Sequence, residues 1–296
     1  MAEKSFESTL MEHIDVDIKD IIKSRSSWRT YKEESMEPGV KNKLEDFLNE
    51  KKVGPFGSTA RFTLIDLPGD SWKQRRKFGT YGFIKGAQHY IAGAVSDGRL
   101  NLEDYAYLFE EIILYATYLN LGTCWLGGTF KRSEFAQIID LKSEESLPAI
   151  SPVGYIPNKR RLVGRVMRWA IKAKKRKPWE ELFFIESFNT PMSEITNSQY
   201  MIPLEMVRIA PSAKNKQPWR LVIEPDHKRV HFLVNKENEG EESGIHNYQR
   251  LDMGNAMCHF NLASQSIGLK GNFKHLPETI KYDKTKYAYS TTWQQL

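Results

Sequence analysis

The chain has only two cysteines, Cys124 and Cys258, in 296 residues. That scarcity excludes a disulfide scaffold, and the lack of any C-x-x-C pair removes the usual structural zinc site. No apolar run approaches the ~18 residues that a membrane span requires. The opening MAEKSFESTL has neither the basic start nor the apolar stretch of a secretory leader. The expectation is a cytoplasmic protein without stable membrane insertion. Also missing are G-x-G-x-x-G, the Walker A lysine loop, G-x-S-x-G and H-E-x-x-H. The seven histidines form no ligand set: His227 and His231 fall on a turn and a strand, and His259 lies inside an apolar helix. No metal site is expected.

Aromatic residues, by contrast, are plentiful. Seven Trp, 13 Tyr and 15 Phe in a chain that is 40% hydrophobic predict a packed core. The length suits two ordinary domains or one large one. The net charge of +6 is a local feature: Lys159–Lys177 holds ten basic residues and no acid, and the remainder is slightly acidic. A global nucleic-acid surface is therefore not expected. The basic run reads as a solvated connector, with a phosphate- or membrane-surface module as the other reading.

Helical and strand patterns alternate along the chain. Helices are predicted over 40–49, 102–121, 130–141, 203–209 and 252–267, and strands over 61–66, 88–95, 150–156, 220–224 and 230–234. The order of elements repeats in looser form. RFTLID at Arg61 resembles RLVIEP at Arg220, and Asp104 and Asp252 sit near the starts of the two long helices. Two related α+β halves follow, 1–165 and 187–296, joined by a basic connector over 166–186.

Three segments suit ligand chemistry. In Arg25-Ser26-Ser27-Trp28-Arg29, two guanidinium groups four residues apart can converge on a doubly charged anion. In Pro211-Ser212-Ala213-Lys214-Asn215-Lys216-Gln217-Pro218-Trp219, two prolines stiffen a loop whose Asn215 and Gln217 offer donors and acceptors. In Gly122-Thr123-Cys124-Trp125-Leu126-Gly127-Gly128, two glycines let the main chain approach a ligand closely. Taken singly, the three also suit surface arginines, an ordinary turn and a helix C-cap.

Taken together and in order, they resemble the flavin mononucleotide (FMN) nitroreductases. RSSWR resembles that family's phosphate motif, APSAKNKQPWR its proline-serine loop, LNLGTCWLGG the segment at the flavin's reactive edge, and ISPVGYIPNKRR its final strand and basic turn. The likeness spans about residues 15–275. It implies an α+β, nitroreductase-like fold: two related halves, each a small, mostly antiparallel sheet flanked by helices, forming an intrachain pseudo-dimer like the putative TM nitroreductases.

The resemblance also implies the site. Arg25, Ser26, Ser27, Arg29, Arg160 and Arg161 would hold the phosphate, and Pro211, Ser212, Ala213, Asn215 and Gln217 would hold the ring and ribityl chain. Leu126, Gly127 and Gly128 would line the edge near flavin N5, with no certain catalytic side chain. The reciprocal site reads as decayed, because Ser187–Met192 lacks any guanidinium and Gly54–Ala60 lacks Asn and Gln. The implied activity is FMN-dependent NAD(P)H oxidoreduction, a ping-pong hydride transfer to a small-molecule acceptor such as a nitroaromatic or quinone. NADH or NADPH would be the co-substrate, with one FMN per chain and a monomeric pseudo-dimer possible. A flavin-binding protein without nitroreductase turnover is the alternative. Cys124, beside the edge, reads as a buried structural thiol or a redox-active one.

Overall fold

The computed structural model describes residues 5–50, 52–67, 79, 84–158, 175–236 and 247–296. They fall into two compact units, one of residues 24–158 and one of residues 5–23, 175–236 and 247–296. The sequence pattern groups residues 1–165, whereas the contacts group residues 5–23 with the later half. The reason is local. Phe6 N–H donates to Asn272 Oδ1 at 2.6 Å, and Gln265 Nε2 donates to the Phe6 carbonyl at 2.8 Å. Two short helices follow, α1 (Leu10–His13) and α2 (Ile18–Ser24), with Leu10, Ile18, Ile21 and Ile22 buried.

The first unit is an antiparallel sheet of six strands: β1 (Lys52–Val53), β2 (Thr59–Asp66), β3 (His89–Ser96), β4 (Gly122–Thr123), β5 (Glu145–Ser146) and β6 (Ile150–Gly154). Their order is β1-β2-β3-β6-β4, with β5 paired to β3. Strand β3 is buried along nearly its whole length, which is why HYIAGAVS reads as a continuous apolar run without alternation. Helix α3 (Pro38–Asn49) packs on β2 and starts two residues earlier than the apolar pattern predicts, because proline is pre-organised for a first turn. Helix α4 (Asn101–Tyr118) is buried from Leu102 to Ala116 and packs on β2, β3 and β4. A short helix, α5 (Arg132–Ile138), follows.

The second unit contains α6 (Trp179–Leu182), β7 (Phe183–Ile185), α7 (Met201–Arg208), β8 (Trp219–Ile223), β9 (Arg229–Asn235), α8 (Tyr248–Ser266), β10 (Gly271–Lys274) and β11 (Tyr287–Gln295). Its sheet has the order β10-β11-β9-β8-β7, antiparallel except for β7 beside β8. Helix α8 packs on α7, β8 and β9, and Gly268, at φ +81°, stands just beyond its end. Strands β10 and β11 escape the sequence pattern. The first is only four residues long, and YAYSTTWQQ is largely hydroxyl and amide, although Thr291, Thr292 and Trp293 are fully buried.

The two sheets share one topology. In each, the first long strand pairs with the second, the second with the last, and the last with the third: β2-β3-β6-β4 and β8-β9-β11-β10. In each, the long buried helix lies between the second and third strands. This is the α+β architecture of two related halves.

The matching aspartates have matching work. Asp104 Oδ1 and Oδ2 accept the N–H groups of Phe56 and Ser58, each at 2.8 Å, and Asp252 Oδ1 accepts that of Ala213 at 2.8 Å. Each carboxylate fastens the loop that feeds its unit's first long strand. Burial pushes the Asp104 carboxyl up to about 6 despite its two backbone donors. The native state then holds this proton more tightly than the unfolded chain, so Asp104 favours folding below pH 4 and loses that contribution as pH rises through 6. Carboxyl NMR should place the Asp104 midpoint near 6. The denaturant midpoint of Asp104→Asn should depend less on pH between 4 and 6 than that of the wild type.

Candidate cofactor site

The RSSWR segment enters the first unit directly from α2 and runs beside the sheet as an extended strip. Ser27 forms a parallel bridge with Thr123 of β4, and Trp28 N–H donates to the Thr123 carbonyl at 2.7 Å. Further along, Lys85 N–H donates to the Arg29 carbonyl and Tyr31 N–H to the Lys85 carbonyl. The backbone is thus held on both sides and the side chains are presented. Trp28 and Tyr31 pack into the apolar cluster that contains Leu126, Phe130 and Ile150. Gly122 permits this approach: a methyl group there would collide with Ile156 Cγ2 and come within 3.2 Å of Trp28 Cβ.

Arg25 turns its Nε toward Glu110 Oε1, 3.6 Å away, and only 8% of its side chain is exposed. That Nε is buried and has no hydrogen-bond partner among the described residues. Arg29 is half-buried. The edge segment begins one residue after β4 with the buried Cys124, whose N–H donates to Ser151 Oγ and whose thiol faces the Trp125 carbonyl. Trp125 Nε1 donates to Glu110 Oε2 at 2.8 Å. Leu126 is buried and its backbone is fully used in an antiparallel bridge to Ile150, so its N–H is not open to a ligand. Gly127 and Gly128, half-buried and exposed, make no N–H donation to any described residue. Arg132 holds the Gly127 carbonyl at 3.0 Å and also binds the carbonyls of Leu147 and Pro148. One unit therefore brings together the arginine motif and the glycine edge.

The proline-serine loop belongs to the second unit. Lys214, Asn215 and Gln217 all have positive φ, at 52°, 58° and 50°. Left-handed backbone at non-glycine residues costs on the order of 1 kcal/mol each, and here side chains hold it. Gln217 N–H donates to Ser212 Oγ, and Asn255 Nδ2 to the Pro211 carbonyl. The amides of Asn215 and Gln217 are directed at the end of the basic connector. Arg176 Nη1 donates to Asn215 Oδ1 at 2.6 Å, and both amide nitrogens donate to the Lys175 carbonyl. Gln217 Oε1 accepts Lys177 N–H at 2.9 Å. Arg160 and Arg161, predicted to hold the phosphate, lie outside the described residues. No group of metal-ligating side chains occurs among the described residues.

Several of these partners, Glu110, Arg132, Arg176 and Asn255, are not singled out by sequence reasoning. A carboxylate in the middle of the apolar stretch FEEIIL was the available signal for Glu110. Arg176 is masked by the basic run around it.

A first check follows from Gly122. Gly122→Ala should destabilise the protein by about 1–3 kcal/mol through overpacking. It should also raise the amide hydrogen-exchange rate of Trp28, while exchange in β8 and β9 stays as in the wild type.

No curated protein matches the chain. Among solved structures, a nitroreductase of Thermotoga maritima MSB8, described as putative, shares the fold over the full length, with 100% of this chain and 98% of that one covered, TM-score 0.58 and 18% identity. An FMN-bound nitroreductase of Desulfitobacterium hafniense DCB-2 aligns over 50% of this chain and 93% of its own, with TM-score 0.38 and 16% identity. A family model described as "Putative TM nitroreductase" matches residues 17–264. A match over that span, on a chain carrying the arginine motif beside a glycine edge, places this protein in the nitroreductase family.

Proposed function

We propose that the protein is an FMN-dependent NAD(P)H oxidoreductase that carries one FMN per chain. One observation carries this reading: within a single unit the Arg25–Arg29 strip is bridged to β4 at Thr123, and the Gly127–Gly128 edge follows on the same chain segment just beyond β4. The arrangement suits a ligand with a phosphate at one end and a flat hydrogen-bonding edge at the other. The buried Nε of Arg25, which lacks a hydrogen-bond partner among the described residues, and the two unused glycine amides fit such a group. When bound, FMN supplies hydride transfer between NADH or NADPH and a small acceptor such as a nitroaromatic or quinone.

The chain's own work is binding and orientation. Arg25 and Arg29 neutralise the phosphate, with Ser26 and Ser27 between them in the same strip. Gly127 and Gly128 present backbone N–H groups at the reactive edge, and Arg132 fixes that turn by holding the Gly127 carbonyl. Pro211–Ala213 is a rigid surface of the kind a flat ring packs on. Asn215 and Gln217 act on the cofactor through loop shape, because the connector already engages their amides.

The test is an anaerobic titration. Purified protein incubated with FMN should turn yellow, and NADH or NADPH should bleach it. A yellow protein that neither nucleotide bleaches would show a flavin-binding protein without this turnover. Arg25→Ala should weaken FMN about tenfold or more, as expected for loss of a charge-assisted contact, and leave riboflavin binding nearly unchanged. Asn215→Ala should weaken both flavins. Unchanged FMN affinity in both variants would sink the assignment.

A further inference from the structure

Glu110 is an acidic residue where an anion is expected to bind. Its side chain is fully buried in the middle of α4, with one carboxylate oxygen 3.6 Å from Arg25 Nε and the other accepting the Trp125 indole N–H at 2.8 Å. It therefore joins the arginine motif to the residue that leads into the glycine edge. We propose that Glu110 is the resident counter-anion of Arg25. It is a positioning residue that aims the guanidinium, offsets part of its charge, and thereby sets how strongly the site prefers a phosphorylated flavin. The proposal rests on the FMN reading above.

The physical argument is one of buried charge. A buried guanidinium without a partner is strongly destabilising, so a chain that must fold before it meets its ligand needs an internal anion. Arg25 is nearly buried, and Glu110 is the only carboxylate that pairs with it among the described residues. The 3.6 Å Nε–Oε1 separation exceeds hydrogen-bond range, and this buried Nε has no hydrogen-bond partner among the described residues. Arg25 is thus balanced electrostatically without being saturated. An incoming phosphate adds a second anion to the same cation, and the two carboxylate and phosphate charges repel each other. The internal carboxylate therefore weakens phosphate binding in return for a folded empty state. Trp125 adds a geometric link. It also packs edge-on against Phe109, one residue from Glu110, with ring centroids 4.7 Å apart, so a shift of Glu110 is transmitted toward Gly127.

Glu110→Gln isolates the charge, because glutamine still accepts a hydrogen bond from Trp125 or Arg25. In a buried site the electrostatic change outweighs any loss of aim. Affinities for FMN and riboflavin are measured by fluorescence quenching in wild type and variant. FMN should bind E110Q about tenfold tighter or more, with riboflavin unchanged, and the ligand-free variant should melt below the wild type. An FMN-to-riboflavin ratio that stays the same or falls overturns the proposal while leaving the FMN reading intact. Failure of the wild type to bind either flavin overturns both. If E110Q is recovered only with FMN or inorganic phosphate present, the Arg25→Met/Glu110→Gln pair, which leaves no lone charge, should fold without them. If that pair also fails to fold, the counter-anion role is wrong.

Discussion

Two long helices, each buried along most of its length, govern the rest of the structure. A helix buried on all sides has no solvent-facing stripe on which to place polar residues, so every polar side chain it carries must find a protein partner. Asp104 and Glu110 of α4 find theirs in the Gly54–Ser58 loop and in Arg25 and Trp125. On α8, Asp252 and Asn255 hold the proline-serine loop, His259 donates to the Met206 carbonyl, and Asn261 accepts Trp293 Nε1. Two of the segments proposed to meet the cofactor, the arginine motif and the proline-serine loop, are held by buried helical polar groups. Helix burial and site geometry are one constraint.

Much of this was legible in the sequence because it depends on local pattern. The 3.6-residue period marks α3, the long apolar stretch marks α4 and the stop at Gly268 marks the end of α8, while the apolar strands β2, β3, β6, β8 and β9 stand out between turn residues. The matched positions of Asp104 and Asp252 also survive, as carboxylates with the same task in each half. What was not legible depends on tertiary context. Strand β11 is polar in composition and is buried only because β9 and β10 flank it. The docking of residues 5–8 onto the second unit rests on the amides of Asn272 and Gln265, which carry no periodic signal.

The candidate site shows the same division. Motif spacing identifies Arg25–Arg29 and Gly127–Gly128, and the fold bridges the first to Thr123 of β4, the strand that leads into the second. It does not reveal that Leu126 has no free N–H, since that depends on a bridge to Ile150 some two dozen residues away. Nor does it reveal that Asn215 and Gln217 hold the connector. The end of the basic run becomes structural for this reason: Arg176 reaches Asn215 and the Ile209 carbonyl, so its charge is directed inward to the loop and not outward to a polyanion.

The two loops that the helix-start carboxylates hold have diverged in an informative way. Asp104 takes two N–H groups from Gly54–Ser58, whose one left-handed residue is Gly57, at φ +95°, where glycine adopts it freely. Asp252 takes the Ala213 N–H from its loop, and three non-glycine residues there adopt left-handed backbone. The strained loop needs further support from Ser212, Asn255 and the connector, and it has each of them. Strain that persists under so many restraints is typical of a segment shaped for a ligand. The relaxed loop, satisfied by its aspartate and a glycine, carries no such mark. A duplicated unit can relax one copy of a loop while the other remains constrained, and here the constrained copy is the one proposed to meet the cofactor.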